Sequence, residues 1–569
     1  MSLTLDTSTD GDAVGARINQ ERSILWADDY GSITVNELHA TSTSFANWAK
    51  MSYVVGLSSY NIEIAMEWGM NALLYATNGG VISVGSLEGE TSTFSGVGDA
   101  ANGAIAGGSG TQAGTADAPS ETSAVHIYNA EFNLEGWNNH VADVVYGGYA
   151  YLEKVNAVTG KPGSYAVGQG SALANDFGNG VVDVKDFHAV VYGNRSAGAY
   201  VIGGGVITAQ DSSFISKMDA GLVIASGGTL KINDSEATGQ IALRGRGGIN
   251  ASSVSEFNGV TFTAEKDLEG YVTGDVAASA VAAWQSASGG TALIHFMMSD
   301  PDMTLGRLCD YYGISDDARA ALLSELSEMA GIAYTEGTLL RNCLLDNTYY
   351  NHSAGAYTGT TDFSDISYLT VGSAFGGLVG AVIGFESAGV TLNMSGCGFA
   401  SKNGEDYNYL ISSEAGSDLT VNFTASDASG IIWNEGSVNR AVEGMPGDRS
   451  SKLSVRFDDS AFTGSFADGG SGLWEVSGLS YTNGAGETSS LNGNYYGASA
   501  NWGISAVFGQ GSVWTVTHDS YLGSLTIEDG AEIIVPEGRS LSMTVGGAKT
   551  AMAAGAYSGG VVISLTENN

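Results

Sequence analysis

Two short segments gather much of the scarce non-acidic polar chemistry in this chain, which has only 22 Lys and Arg and 7 His among 569 residues. One reads VVYGNRSAGAY and holds Tyr192, Asn194 and Arg195, with His188 just upstream. The other reads TYYNHSAGAY and holds Tyr350, Asn351 and His352. An imidazole titrates near neutral pH, and phenol, amide and guanidinium groups hydrogen-bond hydroxyls, so these clusters suit sugar binding or acid–base work. Arg244 and Arg246, in LRGRGG, add to the same small set. A blander reading stands beside this one: YGN and YNH are equivalent turns of a repeated structure.

Other reactive types form no site by spacing. Asp28-Asp29, Asp316-Asp317 and Asp458-Asp459 are adjacent pairs, and neighbours in a strand point to opposite faces, so none makes a dyad there. Asp458-Asp459 reads as a chain corner. Cys309, Cys343 and Cys397 lack metal-ligand spacing and an odd count leaves no complete disulfide framework. They read as small core residues. No metal site is expected and no cofactor is required, although the acidic surface could take Ca²⁺.

The elements that position these residues follow from a recurring pattern. VVDVKDFHAVVYG, VITAQDSSFISK and LKINDSEATG each show an alternating strand followed by Asp and a small or aromatic residue, and Asp186, Asp211 and Asp234 fall 25 and 23 residues apart. VHIYNAEFNLEG, TLNMSGCGFAS, LTVNFTASDASG and LSVRFDDSAFTG repeat the shape. A period of roughly 20–30 residues is one coil of a solenoid whose short strands stack on their counterparts. With 82 Gly for corners and only 5 Pro to interrupt ladders, the pattern predicts an all-β, right-handed parallel β-helix of the pectate-lyase-like type. At about 4.8 Å per coil the two SAGAY segments fall on the order of 20–30 Å apart. That is too far for one catalytic centre and suits two subsites of an extended glycan.

The expected layout is a β-helix over 1–535 and a β segment over 536–569 that finishes it. Asp12 to Ala27 suggests a helical N-terminal cap, Gly96 to Glu121 a mobile loop, and Met303 to Tyr334 a helical insertion. The uncharged run ISYLTVGSAFGGLVGAVIGF reads as two buried strands about a Gly corner rather than a membrane span. The chain opens without a signal peptide, which suggests a mature form whose leader has been removed.

Near the C-terminus, GSVWTVTHDSYLGSLTIEDGAEIIV, with Trp514, Ser520, Leu522, Leu525, Ile527 and Gly530, resembles the last coils of autotransporter-type passenger domains and related surface adhesins. That resemblance implies a folding role for this region and an active surface elsewhere. A net charge of −39 disfavours nucleic acid and anionic membranes as partners. The expectation is a monomeric bacterial cell-surface or secreted protein that binds a glycan or an extracellular protein. The alternative is a polysaccharide lyase or glycoside hydrolase with a groove along the helix. The Asn-Thr-Asp, Gly-His-Gly and Arg-Ile-Lys signatures of polygalacturonase-like hydrolases do not occur.

Overall fold

The repeated Asp marks a corner. In the computed structural model of the chain, Asp186, Asp211, Asp234 and Asp459 have φ of 51°, 51°, 45° and 48°, in the left-handed region that Asp and Asn enter more readily than other L-residues. Each separates two short strands. Serine follows three of them, and its Oγ donates to the carbonyl two residues back: Ser212 to Gln210 at 2.7 Å, Ser235 to Asn233 at 2.6 Å and Ser460 to Asp458 at 2.8 Å. Ser212 and Ser460 also accept an amide from the preceding coil, Phe187 at 3.2 Å and Ser426 at 3.1 Å. A one-residue corner is thereby turned with its buried polar atoms satisfied.

The structure describes residues 2–6, 23–42, 72–97, 101–107, 123–135, 139–160, 170–176, 179–192, 196–217, 219–239, 241–246, 252–265, 304, 306, 320, 323, 335–338, 381–385, 389–402, 409–413, 418–434, 452–468, 479–482, 488–491 and 503–568. The described chain is almost entirely β, with mostly parallel pairing, as a β-helix requires. It divides into two compact units, Met1–Val223 with Asp267–Tyr357, and Ile224–Lys266 with Thr358–Asn569.

In the first unit each coil feeds three parallel sheets. Sheet 1 runs through Leu25–Ala27, Leu74–Ala76, Ala104–Ala106, Ala142–Val145, Leu173–Asp176 and Ala199–Ile202. Sheets 2 and 3 meet at the one-residue corner. Ala124–Glu135, Tyr149–Thr159 and Val181–Val191 therefore lie in sheet 2 by their first halves and in sheet 3 by their second. Val206–Gln210 extends sheet 2 and Ser213–Ser216 extends sheet 3. Leu74–Ala76, Ala104–Ala106 and Ala142–Val145 are buried on both faces, which suits Leu-Tyr-Ala and Ala-Ile-Ala, while Ala142–Val145 buries the carboxylate of Asp143 as well. Val181–Val191 instead alternates, with Val182, Val184, Phe187, Ala189 and Val191 inward. Sheets 2 and 3 thus offer regular outward rows.

The second unit repeats the scheme with a more aromatic core. Ile232, Phe257, Met394, Phe423, Phe457, Phe508 and Ile527 are successive partners in one inward row. Phe457 stacks on Phe423 at 4.9 Å and on Phe508 at 5.1 Å, nearly parallel in both cases. Trp514, Ser520, Leu522 and Leu525 are fully buried. Gly555–Glu567 then pairs antiparallel with Ser520–Ile527 and with Arg539–Val545, so the last strands depart from the parallel ladder.

Two local expectations change. Within Gly96 to Glu121, Ala104–Ala106 is a buried strand of sheet 1, because Ala-Ile-Ala is small and apolar enough to stack between coils. Residues 108–122 lie outside the described residues. Within Asp12 to Ala27, Leu25–Ala27 is a strand rather than helix, since stacking on Leu74–Ala76 decides it. Residues 12–22 are not described. Of Met303 to Tyr334 only Thr304, Gly306, Ala320 and Leu323 are described, the last three helical. Of the uncharged run, Ile383–Phe385 is a buried strand. Cys397 is buried and its thiol is pushed up by desolvation, as a core residue should be; Cys309 and Cys343 are outside the described residues.

Candidate functional site

The outward row of sheet 3 in the first unit is polar from coil to coil. His39 partners Thr93, Thr93 partners Glu131, Glu131 partners Asn156, Asn156 partners His188, and His188 partners Ser213. A parallel row, Thr41, Ser95, Asn133, Val158, Val190 and Ile215, runs beside it. All of these residues except His39 and Ile215 line a shallow groove of about 600 Å³, together with Phe94 and Phe132. Six stacked strands at about 4.8 Å give a length of roughly 24 Å. Thr93, Glu131, Asn133, Asn156 and His188 are exposed along it.

Both histidines are held in the same way. His188 Nε2 lies 2.9 Å from Asp186 Oδ1 and its Nδ1 lies 3.0 Å from Ser213 Oγ. His39 Nε2 lies 2.7 Å from Glu37 Oε1 and its Nδ1 lies 2.8 Å from Thr93 Oγ1. Since a carboxylate only accepts, Nε2–H donates to it, and in the neutral ring Nδ1 accepts from the hydroxyl. This is the order in which an imidazole can draw a proton from an alcohol. Acyl transfer also needs donors for the developing oxyanion. Val181–Val191 is paired on both sides, to Tyr149–Thr159 and to Ser213–Ser216, so its amides serve the ladders. The same device occurring twice, on neighbouring coils in each case, fits a row of oriented hydrogen-bonding groups.

Of the residues singled out in the sequence, His188 lies in the groove. Tyr192 directly follows the strand, is half-buried and donates its amide to Thr159 O at 2.8 Å. Asn194, Arg195, Tyr350, Asn351 and His352 lie outside the described residues, so the two SAGAY clusters are not compared. In the first, Ser196 Oγ accepts from Gly170 N at 2.9 Å and Ala199–Ile202 is a sheet 1 strand, a structural use of the motif. Arg244 is buried. His39, Glu131, Asn156 and Ser213 were not singled out, yet a signal existed. Glu131, Asn156, His188 and Ser213 each stand two residues after a left-handed corner residue, namely Asn129, Lys154, Asp186 and Asp211.

Around that corner, sheet 2 of the same unit carries aromatic rings on two adjacent coils. His126 and Tyr149 stand 5.7 Å apart, tilted by 60°, and Tyr128 and Tyr151 stand 5.6 Å apart, tilted by 49°. Tyr149 Oη donates to Asp183 Oδ2 at 3.1 Å and Tyr151 Oη to Glu153 Oε2 at 2.7 Å, while Lys185 Nζ bonds Glu153 Oε1 at 3.0 Å. Desolvation, reinforced by these carboxylates, pushes the Tyr151 phenol up to about 12 and raises Tyr149 further. Burial lowers the His126 pKa. At neutral pH the phenols are donors, not bases. Glu153 is held below the usual carboxylate range, first by the Tyr151 hydrogen bond and then by Lys185.

The corresponding face of the second unit has a smaller depression of about 370 Å³, lined by Glu256, Asn258, Asn393, Asn422 and neighbours. Its amides bond one another, Asn258 to Asn233 and Asn422 to Asn393, both at 2.9 Å. Among the described residues no group of three or more His, Cys, Asp or Glu could hold a metal ion, and no helix is long and apolar enough to cross a membrane.

No protein-family model matches the chain, and no curated protein matches it.

Proposed function

We propose that this chain is a bacterial cell-surface or secreted binding protein that lays an extended, uncharged glycan along the sheet 3 groove of its first unit. The observation that carries this reading is the unbroken register of His39, Thr93, Glu131, Asn156, His188 and Ser213. From His39 to His188 it supplies one hydrogen-bonding side chain per coil, with the buried Ser213 holding the His188 ring, at a spacing of about 4.8 Å that is close to the length of one pyranose unit. Each hydroxyl-rich sugar then meets its own acceptor or donor. The net charge of −39, with Glu131 in the row itself, disfavours polyanionic glycans. The likeness of the final coils to autotransporter-type passengers supports display outside the cell. Calcium is not needed for this mode of binding.

Calorimetric titration with linear neutral oligosaccharides tests the proposal. Glu131→Gln combined with Asn156→Ala removes two central contacts from an exposed row and leaves the core untouched. Binding should weaken about tenfold or more, which corresponds to about 1.4 kcal/mol. Equal affinity in a folded variant rejects the groove.

The enzymatic reading is favoured by one observation, the Asp186–His188–Ser213 chain. Its consequence is turnover: release of new reducing ends or acyl groups that disappears in Ser213→Ala. Binding without turnover leaves the adhesin-like reading in place.

A further inference from the structure

We infer that the aromatic patch on sheet 2 of the first unit is a second saccharide site, distinct from the groove, which takes a single neutral pyranose rather than a chain. The inference shares the ligand class of the proposed function but does not depend on the groove being occupied.

Four outward rings crowd two neighbouring coils, and they are arranged as two tilted pairs rather than a flat tier. A tilted pair forms an angle with one ring as floor and the other as wall. The C–H face of a pyranose is apolar and slightly positive, and a ring face is electron-rich, so the sugar stacks on the floor and touches the wall. Its hydroxyls then point outward along the ring plane. There they need acceptors, and Asp183 and Glu153 stand at the phenol ends of Tyr149 and Tyr151.

Pre-organisation separates this patch from a chance group of tyrosines. Each phenol is tethered by a carboxylate, and Glu153 is itself held by Lys185 at 3.0 Å. The rings and acceptors therefore lose little freedom on binding. All four rings are half-buried, so one face is supported and part of the other is open. The raised phenol pKa values keep both tyrosines neutral donors over the physiological range. Two carboxylates against one ammonium leave the patch negative, which repels uronates and sulfated sugars and tolerates neutral ones. Cross-strand aromatic pairs also stabilise a sheet. That role alone would need no acceptor at the ring ends and would bind nothing.

The test uses the full chain and three probes: methyl β-glucopyranoside, methyl β-galactopyranoside and the methyl glycoside of glucuronic acid. With tyrosine rings isotopically labelled, the wild type should show saturable shifts of a few ring signals with at least one neutral glycoside and none with the glucuronide. Tyr149→Leu with Tyr151→Leu should weaken binding about tenfold or more, whereas Tyr149→Phe with Tyr151→Phe keeps the stacking faces and should lose about threefold. Asp183→Asn, a surface change that preserves the fold, should also weaken it. Glu131→Gln with Asn156→Ala, which weakens chain binding in the groove, should leave the ring shifts of the tyrosines and their dependence on glycoside concentration as in the wild type. Absence of saturable ring shifts in the wild type overturns the inference, as does unchanged affinity in Asp183→Asn together with the double Phe variant. If the groove variant abolishes monosaccharide binding, the sugar sits in the groove: the inference then falls while the proposed function stands.

Discussion

Acidification from pH 7 to pH 4 should destabilise the first unit through one buried imidazole. His140 is 5% exposed at the entry to the sheet 1 strand Ala142–Val145. Its Nδ1–H donates to Ser171 O at 2.9 Å, and its backbone amide donates to Asn102 Oδ1 at 2.7 Å. Desolvation lowers its pKa to about 4 against the raising effect of the Ser171 carbonyl. In the unfolded chain the same group titrates near 6.5. Between those values the unfolded state binds the proton and the folded state refuses it. Stability is therefore fully present above about pH 6.5 and is lost at up to about 1.4 kcal/mol per pH unit as pH falls, reaching about 3 kcal/mol near pH 4. Carboxylates titrate in the lower part of this window, so the measurement is a difference. Urea unfolding of wild type and His140→Gln, at half-unit steps of pH, should converge as pH falls, because the amide can still donate to Ser171 O and carries no titrating proton. Parallel curves for the two proteins between pH 6.5 and 4 would refute the reasoning.

Three further outcomes are expected. Trp514→Phe should cost about 2–3 kcal/mol in denaturant unfolding, since the fully buried indole donates to Gly464 O at 3.0 Å and stacks on Phe508 at 5.1 Å, and the change leaves a gap and removes that hydrogen bond. Asp211→Ala should cost about 1 kcal/mol while Asp211→Asn stays within about 0.5 kcal/mol, because the corner requires φ of 51°; equal effects in calorimetric melting would exclude a left-handed corner. In alkaline spectrophotometric titration, Tyr149→Phe with Tyr151→Phe should remove absorbance only from the late steps, near pH 12 and above, where burial and the neighbouring carboxylates place these phenols.

The coil pattern was legible because its punctuation is local. An Asp or Asn that accepts positive φ, followed by a small or aromatic residue that turns inward, marks Asp186, Asp211, Asp234 and Asp459 without any knowledge of pairing. The alternation on either side gives the inner face directly, as at Val182, Val184, Phe187 and Ala189. Ala104–Ala106 escaped because three small residues in a Gly-rich stretch carry no period, and only the strands stacked above and below make them a strand. The groove escaped for the same reason on a larger scale. His188 drew notice as a scarce residue type, but Glu131, Asn156 and Ser213 are ordinary surface residues until coil-to-coil register puts them in one row. Register between coils depends on loop lengths that vary from coil to coil, so rows become visible only when the corners are aligned. The sheet 2 patch shows a further limit: Tyr149 reaches Asp183, one coil along, a contact between residues far apart in sequence.

The central claim, that the sheet 3 groove reads an extended glycan one coil at a time, is tested most directly by affinity as a function of ligand length. Calorimetric titration with a homologous series of neutral linear oligosaccharides should show affinity rising with each added sugar and levelling off near five or six units, where a groove of roughly 24 Å is filled. Affinity that is independent of length beyond a single sugar, or absent throughout the series, would contradict it.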